Sequence, residues 1–259
     1  MGHSGTLDPM AVGVLPIFLN KATKAIKYLK NTDKEYLAEF MLGIKTDTKD
    51  ITGKILEKEK SFVEKEQLIE CLNFFKGEIF QMPPMYSAVK VNGVSLYKLA
   101  RKGITVKRKK RAVKIYNLSC VEFSQQKQTG VLKISCSSGT YVRSLIEDLA
   151  KKLKTIGVLT NLKRTKACGF CLKNSLTLNE VETKKEQINY LITPIEEIFS
   201  NLNSLKLSLN EQKAFLNGAK LQFKTNEEKG SFFKVYGTDF LGLGVLKDGF
   251  LKVEKNFFG

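Results

Sequence analysis

The sequence contains no tryptophan and a single histidine, His3. With one imidazole, neither a Ser-His-Asp nor a Cys-His pattern for nucleophilic catalysis can be argued. The five cysteines are scattered and odd in number, so we expect reduced thiols in a cytoplasmic protein. The pair Cys168 and Cys171 has metal-like spacing, but no second pair and no spare histidine completes four ligands, and no metal site is predicted.

Long apolar runs are also missing. No stretch of about 18 apolar residues occurs, so no membrane span is predicted. The first residues lack the basic-then-apolar pattern of a signal peptide. A glycine-rich nucleotide-binding loop after a strand, as an RNA methyltransferase would require, is not found either.

Positive charge is what the chain has in excess. Forty-three Lys and Arg residues stand against 26 Asp and Glu, which gives a formal net charge of +17. Such an excess favours a polyanionic partner, most often nucleic acid, because neutralising phosphates releases counterions. The alternative is a solubility bias or an organism that favours lysine. The densest basic run, 107–111, is interpreted as a charged loop between strands rather than a nuclear address.

The length of 259 residues predicts one large domain and a smaller one. We predict that residues 1–199 form a catalytic domain and that residues 200–259 form a small β-rich domain. The polar stretch 200–204 is the expected linker, and a hairpin turn is expected at Lys247-Asp248-Gly249.

Hydrophobic periodicity and turn residues predict several elements. Helical spacing over 20–30 also aligns four lysines, at positions 21, 24, 27 and 30, which either touch phosphates or form a solvated face. The other expected elements are a buried strand over 12–19, strands over 36–44 and 131–136, a hairpin at Asn92-Gly93, helices over 96–101 and from about 141, and helices opened by capping boxes at 61–64 and 208–211.

The stretch 2–9 concentrates two glycines, a proline, the only histidine and Asp8. Gly5 permits backbone geometry closed to other residues, and Pro9 pushes Asp8 towards an extended conformation. The expected result is a tight loop that holds one carboxylate in a fixed direction. On its own, an aspartate before proline is more often turn or cap chemistry.

A carboxylate, phenols and a guanidinium remain as candidate chemistry: Asp8, Tyr36, Tyr141 and Arg143. Without metal ligands or a phosphate loop, they suggest acid/base or nucleophilic chemistry without a cofactor. Each also has a structural interpretation. Tyr36 would otherwise be a core aromatic, and Arg143 a surface ion pair.

Five ordered blocks across residues 2 to 170 resemble the TruB family of bacterial tRNA pseudouridine synthases. The blocks are Gly2-His3-Ser4-Gly5-Thr6-Leu7-Asp8-Pro9 with Gly13-Val14-Leu15-Pro16; Asp33-Lys34-Glu35-Tyr36 with Leu42-Gly43 and Thr46-Asp47-Thr48; Pro84-Met85-Tyr86-Ser87-Ala88-Val89-Lys90 with Gly93, Leu96-Tyr97 and Ala100-Arg101; Ser138-Gly139-Thr140-Tyr141-Val142-Arg143-Ser144-Leu145 with Asp148-Leu149; and Leu162-Lys163-Arg164 with Gly169-Phe170. Each block alone would be weak evidence.

The resemblance implies an α+β pseudouridine synthase fold, with a mixed, mainly antiparallel central sheet flanked by helices and a small PUA-like C-terminal domain. It implies an isomerase that converts uridine-55 in the T-loop of tRNA to pseudouridine, with no cofactor. The enzyme would be a cytoplasmic monomer that needs no membrane and no protein partner. The alternative is a tRNA-binding or tRNA-folding protein that retains the fold without turnover.

The resemblance also implies roles for individual residues. Asp8 would be the nucleophile, Arg143 would pair with it and keep it ionised, and Tyr36 would lie against the flipped uracil and act as a base. The other substrate-contacting positions would be Tyr141 and Leu162, which line the base pocket, and His3, which contacts the RNA beside the extruded base.

One departure concerns the start of the sequence given, which begins directly at the Gly-His block. Family members usually carry an upstream strand and a Lys-Pro-x-Gly segment. A catalytic loop at a free terminus is prone to fraying, and a missing strand exposes its neighbour's edge. We therefore expect the chain as given to be less stable and less active than a version extended upstream.

Overall fold

A computed structural model describes residues 1–223 and 228–257 of the chain. The chain forms two compact units. The larger unit comprises Ser4–Pro16 and Asn31–Ser175, and the smaller unit comprises Met1–His3, Ile17–Lys30 and Leu176–Gly259. The separate domains predicted for 1–199 and 200–259 stay a prediction, and residues 224–227 and 258–259 of the second lie outside the described part.

The strands are numbered in chain order: β1 Gly2–His3, β2 Val12–Gly13, β3 Ile17–Phe18, β4 Lys34–Leu42, β5 Ile44–Thr46, β6 Ile55–Lys58, β7 Gly77–Gln81, β8 Lys90–Val91, β9 Val94–Ser95, β10 Arg111–Ser124, β11 Thr129–Cys136, β12 Gly157–Ala167, β13 Phe170–Cys171, β14 Ser204–Lys206, β15 Leu221–Gln222, β16 Phe232–Tyr236, β17 Phe240–Lys247 and β18 Phe250–Asn256.

The α-helices are α1 Lys65–Leu72, α2 Leu96–Arg101, α3 Val142–Lys152, α4 Leu178–Thr183, α5 Ile188–Leu191 and α6 Leu209–Leu216. Short 3-10 helices span Asn20–Tyr28, Asn73–Phe75, Leu172–Asn174, Lys185–Gln187 and Ile195–Phe199.

The larger unit is built on a sheet with the strand order β13-β12-β4-β11-β10-β7, and β2 pairs with β12 at Lys163 and Arg164. The β2–β12 pair is parallel and the other pairs are antiparallel. This arrangement confirms the predicted mixed, mainly antiparallel sheet. The strand predicted over 36–44 and the helix predicted from about 141 are both present, as β4 and α3.

Alternation along β4 explains the core. Tyr36, Ala38, Phe40 and Leu42 are buried on one face, as the period of two in a strand requires. They join one apolar cluster with α3 and β11. The α3 residues in that cluster include Leu145 and Leu149, which keep helical spacing. The sheet and helix therefore fix where Tyr36 and the first turn of α3 lie.

The run 12–19 was predicted as one buried strand, and this is wrong. It forms only the two-residue strands β2 and β3, with Val12 and Ile17 about half exposed. Gly13 has a positive φ of 107° and Pro16 supplies no N–H, so continuous pairing stops between them. A capping box predicted at Ser61 is also misplaced, since α1 begins after Glu64, whose backbone N–H donates to Gln67.

The segment 20–30 is helical as predicted, but it forms a 3-10 helix over Asn20–Tyr28. A 3-10 helix has three residues per turn, so side chains at i and i+3 lie directly above one another. The lysines at positions 21, 24 and 27, all exposed, therefore form a single row.

The smaller unit contains a sheet with the order β14-β16-β17-β18-β15, in which β14 and β16 are parallel. This sheet confirms the predicted β-rich character of the C-terminal region. Ser208 caps α6 with Glu211 as expected, and the turn at Asp248-Gly249 joins β17 to β18. None of the described helices is long and apolar enough to cross a membrane.

Gly13 offers a test of how β2 is held. A Cβ at this residue would come 2.2 Å from the carbonyl oxygen of Arg164, at a φ reserved for glycine. We expect Gly13→Ala to reduce the free energy of unfolding by more than the matched variant Gly77→Ala. Gly77 also has positive φ but open space around it, so its substitution should cost only about 1–2 kcal/mol. Urea denaturation checks both values, and equal losses would contradict close packing at Gly13.

Candidate active site

The loop that carries Asp8 is held by a buried arginine on β12. Arg164 is 1% exposed and donates to three backbone carbonyls of the loop. Its Nε lies 2.7 Å from the Val14 oxygen, its Nη2 3.1 Å from the Gly5 oxygen, and its Nη1 3.5 Å from the Thr6 oxygen. The Val14 N–H in turn donates to the Arg164 carbonyl at 2.9 Å. The loop is therefore tied to the sheet on both sides of Asp8.

Asp8 forms an ion pair with Arg143, which lies in the first turn of α3. The Arg143 Nη2 lies 2.8 Å from Asp8 Oδ1. The Arg143 side chain is 5% exposed, whereas that of Asp8 is 31% exposed. The guanidinium is thus enclosed by protein, whereas the carboxylate remains partly exposed. This confirms that Arg143 is not a surface ion pair.

A second carboxylate holds the other side of Arg143. Its Nη1 lies 3.6 Å from Asp50 Oδ2 and donates to the Thr48 carbonyl at 3.1 Å. Its Nη2 also donates to the Tyr86 carbonyl at 2.9 Å. Both terminal nitrogens of the planar guanidinium therefore have oxygen partners, and these contacts hold the side chain in one orientation.

Asp50 is itself fixed by its own loop. Its Oδ1 accepts from the Thr48 hydroxyl at 2.8 Å, the Thr52 hydroxyl at 2.6 Å and the Thr52 N–H at 3.1 Å. A buried carboxylate with these donors remains an acceptor for Arg143. The contacts therefore form a series: the 46–53 loop orients Asp50, Asp50 orients Arg143, and Arg143 orients Asp8.

Burial raises the pKa of Asp8 above its ordinary value. The Arg143 guanidinium lowers this pKa by charge and by its hydrogen bond, and the nearby Asp50 carboxylate raises it again. The expectation from sequence considered only the effect of Arg143. The enclosed setting of the pair has the larger effect, because desolvation disfavours the charged carboxylate.

Tyr36 lies across from Arg164 on the neighbouring strand, in register between β4 and β12. It is buried, and burial raises the pKa of its phenol to about 12. The Arg164 guanidinium acts in the opposite direction and lowers this pKa, and Asp8 is close enough for its charge to raise the same pKa. Tyr36, Arg164 and Asp8 thus belong to one electrostatic neighbourhood.

Tyr141 is the N-cap residue of α3, two positions before Arg143. The buried Gln81 side chain binds both backbone groups of Tyr141: its Oε1 accepts from the N–H at 2.9 Å, and its Nε2 donates to the carbonyl at 3.3 Å. This amide clamp fixes the start of the helix that presents Arg143.

The remaining two predicted residues lie in different places. Leu162 is buried in the core of the larger unit, opposite Ala38 on β4. His3 belongs to the smaller unit, where it is exposed on β1 and pairs with Ile17 of β3. The larger unit therefore brings Asp8, Arg143 and Tyr36 into one neighbourhood, and the predicted role of His3 stays a prediction.

Sequence reasoning missed Asp50 and Arg164 as functional residues. Asp50 stands two residues after the matched Thr46-Asp47-Thr48 block, and an aspartate with threonines two positions before and after it is a recognisable loop signal. Arg164 lies inside a matched block, but no pattern along the chain shows that it points into the core. Among the described residues, no group of three or more His, Cys, Asp or Glu side chains is arranged to hold a metal ion.

The charge of Asp50 can be tested at Asp8. Replacing Asp50 by asparagine removes a negative charge that raises the Asp8 pKa, and the amide keeps an oxygen for Arg143. We expect Asp50→Asn to lower the Asp8 pKa, measured by carbon NMR titration of the carboxyl group. The exposed variant Asp239→Asn is the control and should leave this pKa unchanged. An unchanged or raised Asp8 pKa in Asp50→Asn would contradict the proposed order of contacts.

Comparison with known proteins identifies the family of this chain. A family model for the N-terminal domain of TruB family pseudouridylate synthases matches residues 1–142. The tRNA pseudouridine synthase B of Clostridium tetani is 41% identical over 260 residues, which cover 98% of this chain and 89% of that protein. The protein of the same name from Haemophilus influenzae (strain 86-028NP) is 37% identical over 254 residues, covering 96% and 82%.

Solved structures show a similar fold. A chain from a Cbf5-Nop10-Gar1 complex has a TM-score of 0.70 at 24% identity, covering 99% of this chain and 76% of that one. A chain from an H/ACA RNP bound to a substrate RNA containing 2'-deoxyuridine has the same TM-score at 22% identity, covering 100% and 76%. With the family model matching more than half of its length and relatives matching nearly all of it, the chain belongs to the TruB family of pseudouridylate synthases.

Proposed function

We propose that this chain is an isomerase that converts uridine to pseudouridine in tRNA, at position 55 of the T-loop. The observation that carries the proposal is the 2.8 Å contact between Asp8 and the buried Arg143, within a chain of this family. The relatives named above are tRNA pseudouridine synthases. A net charge of +17 suits an RNA substrate.

The reaction breaks the bond between ribose C1' and uracil N1 and forms a bond between C1' and C5. One proton leaves C5 and one is gained at N1, so substrate and product are isomers. We propose that Asp8 is the nucleophile and that Arg143 directs its carboxylate towards the substrate. The partial exposure of Asp8 leaves one side of it open to a nucleoside.

The target uridine must leave its stack to reach Asp8. Extrusion of a base costs a few kcal/mol, which contacts between a basic surface and the phosphates can offset. In this proposal Tyr141 and Leu162 line the pocket for the extruded base, and His3 contacts the RNA beside it. The chain would act as a cytoplasmic monomer without a protein partner.

Tyr36 would lie against the extruded uracil and accept the proton from C5. A phenol with a pKa of about 12 is protonated at neutral pH, so this step requires stabilisation of the phenolate. In this proposal Arg164 provides it, because Arg164 is the cross-strand neighbour of Tyr36 and lowers the pKa of its phenol. An adjacent positive charge favours the ionised form of an acid.

Incubation with an unmodified tRNA transcript tests the function. The wild-type chain should form pseudouridine at position 55, mapped by carbodiimide modification and reverse transcription. Asp8→Asn should abolish the product, because an amide is not a nucleophile here, while the Kd for tRNA stays within about threefold. A wild-type protein that binds tRNA but forms no product would instead support the non-catalytic alternative.

Tyr36→Phe removes the hydroxyl and keeps the ring, so it distinguishes the role of one from the role of the other. If the hydroxyl accepts the C5 proton, kcat should fall by at least about 100-fold, while the Kd for tRNA is unchanged because the ring remains. Tyr116→Phe is the matched control, since it removes an exposed phenol of the same sheet. Single-turnover kinetics measure both variants, and a Tyr36→Phe enzyme with wild-type kcat would reduce the role of Tyr36 to its ring.

A further inference from the structure

A cavity of about 240 Å³ in the smaller unit has no part in the chemistry proposed above. All residues that line it belong to that unit. Two aromatic rings border it, Tyr28 and Phe232, with centroids 6.3 Å apart and planes inclined at 60°. Phe199 and Leu243, both almost fully buried, also line it. The cavity is therefore apolar and has aromatic sides.

Positive charge borders the same cavity. Lys27 and Lys30 are among its lining residues and both are exposed. The Lys27 Nζ lies 4.5 Å from the centroid of the Tyr28 ring, a cation–π distance. None of the described residues that line the cavity is acidic. Glu254 lies nearby, but its Oε1 accepts the Tyr28 hydroxyl at 2.9 Å and so holds the ring in place.

The 3-10 helix Asn20–Tyr28 extends this charge beyond the cavity. Its three-residue repeat places lysines 21, 24 and 27 in one row that leads to Tyr28. Lysine ammonium groups at such spacing can contact successive phosphates of a nucleic acid strand. The sequence allowed two interpretations of this lysine row, a phosphate-binding face or a solvated face. In the structure the row ends at an apolar cavity.

We propose that this cavity binds one unpaired nucleotide of the tRNA, outside the T-arm, with the base against Tyr28 and Phe232 and the phosphates on the lysine row. This inference rests on the proposed function, because it takes tRNA as the substrate. Aromatic rings beside ammonium groups are the combination that binds unpaired nucleotides. The volume lies below the roughly 300–1,000 Å³ of sites for drug-sized ligands and suits a single base.

Two kinds of variant test the proposal with two RNAs, a full-length tRNA transcript and the isolated T-arm stem-loop. Leu202→Trp places a large side chain in the cavity, and the double variant Lys27→Ala with Lys30→Ala removes its positive border. Each should raise the KM for full-length tRNA by about tenfold, with kcat within twofold. Neither should change the kinetics with the stem-loop, which lacks the nucleotide.

The matched control removes two exposed lysines of the same unit that do not line the cavity, Lys220→Ala with Lys247→Ala. Its KM for tRNA should change less than twofold. Thermal unfolding of each variant checks that the fold is retained, and the lysine variant serves if Leu202→Trp does not fold. An unchanged KM in the lysine variant, or equal losses with both RNAs, would overturn the proposal.

Two further outcomes separate this proposal from the proposed function. If the lysine variant weakens binding but a folded Leu202→Trp does not, the lysines contact phosphates and the cavity binds no base, which overturns the proposal. If the wild-type chain forms no pseudouridine in either RNA, the proposed function fails. The same variants then test whether the cavity binds a nucleotide, because their Kd for full-length tRNA should rise by the same factor of about ten.

Discussion

The ion pair between Asp8 and Arg143 depends on the contacts that fix the orientation of the Arg143 side chain. Arg143 is enclosed by protein and is held by Asp50 and by the carbonyls of Thr48 and Tyr86. Removing one partner of a buried charge pair typically costs about 3–5 kcal/mol, because the remaining charge is left unpaired. Asp50 therefore supplies the second negative charge that makes burial of Arg143 affordable, and Asp8 remains the one member of the three that is open to a substrate.

The second arginine, Arg164, organises the backbone rather than the carboxylate. A buried guanidinium needs hydrogen-bond acceptors, and three backbone carbonyls supply them: those of Gly5 and Thr6 before β2 and that of Val14 after it. Among the described residues no carboxylate forms an ion pair with it. Its positive charge lowers the pKa of the neighbouring Tyr36 phenol. One side chain thus links the loop that carries Asp8 to the residue proposed to accept the proton.

The sequence predicted those parts of the fold in which local pattern and tertiary packing agree. β4, β11, α3 and the hairpin at Asn92-Gly93 follow from periodicity and turn chemistry. The run 12–19 was wrongly predicted as one strand because its apolar residues belong to two units. Residues up to Pro16 belong to the larger unit, and residues from Ile17 belong to the smaller one. The site residues Asp8, Arg143 and Tyr36 were reached through family resemblance, whereas Asp50 and Arg164 act through contacts that only the folded chain reveals.

Burial has opposite consequences within this site. It strengthens the attraction between Asp8 and Arg143, since a low dielectric increases the Coulomb energy, yet it raises the pKa values of both Asp8 and Tyr36. In the free protein, the proposed nucleophile Asp8 and the proposed proton acceptor Tyr36 are thus both harder to ionise than in water. Two guanidinium groups, one beside each, oppose this effect. Arg143 beside Asp8 and Arg164 beside Tyr36 therefore help a largely buried group of side chains to retain ionisable groups for the proposed chemistry.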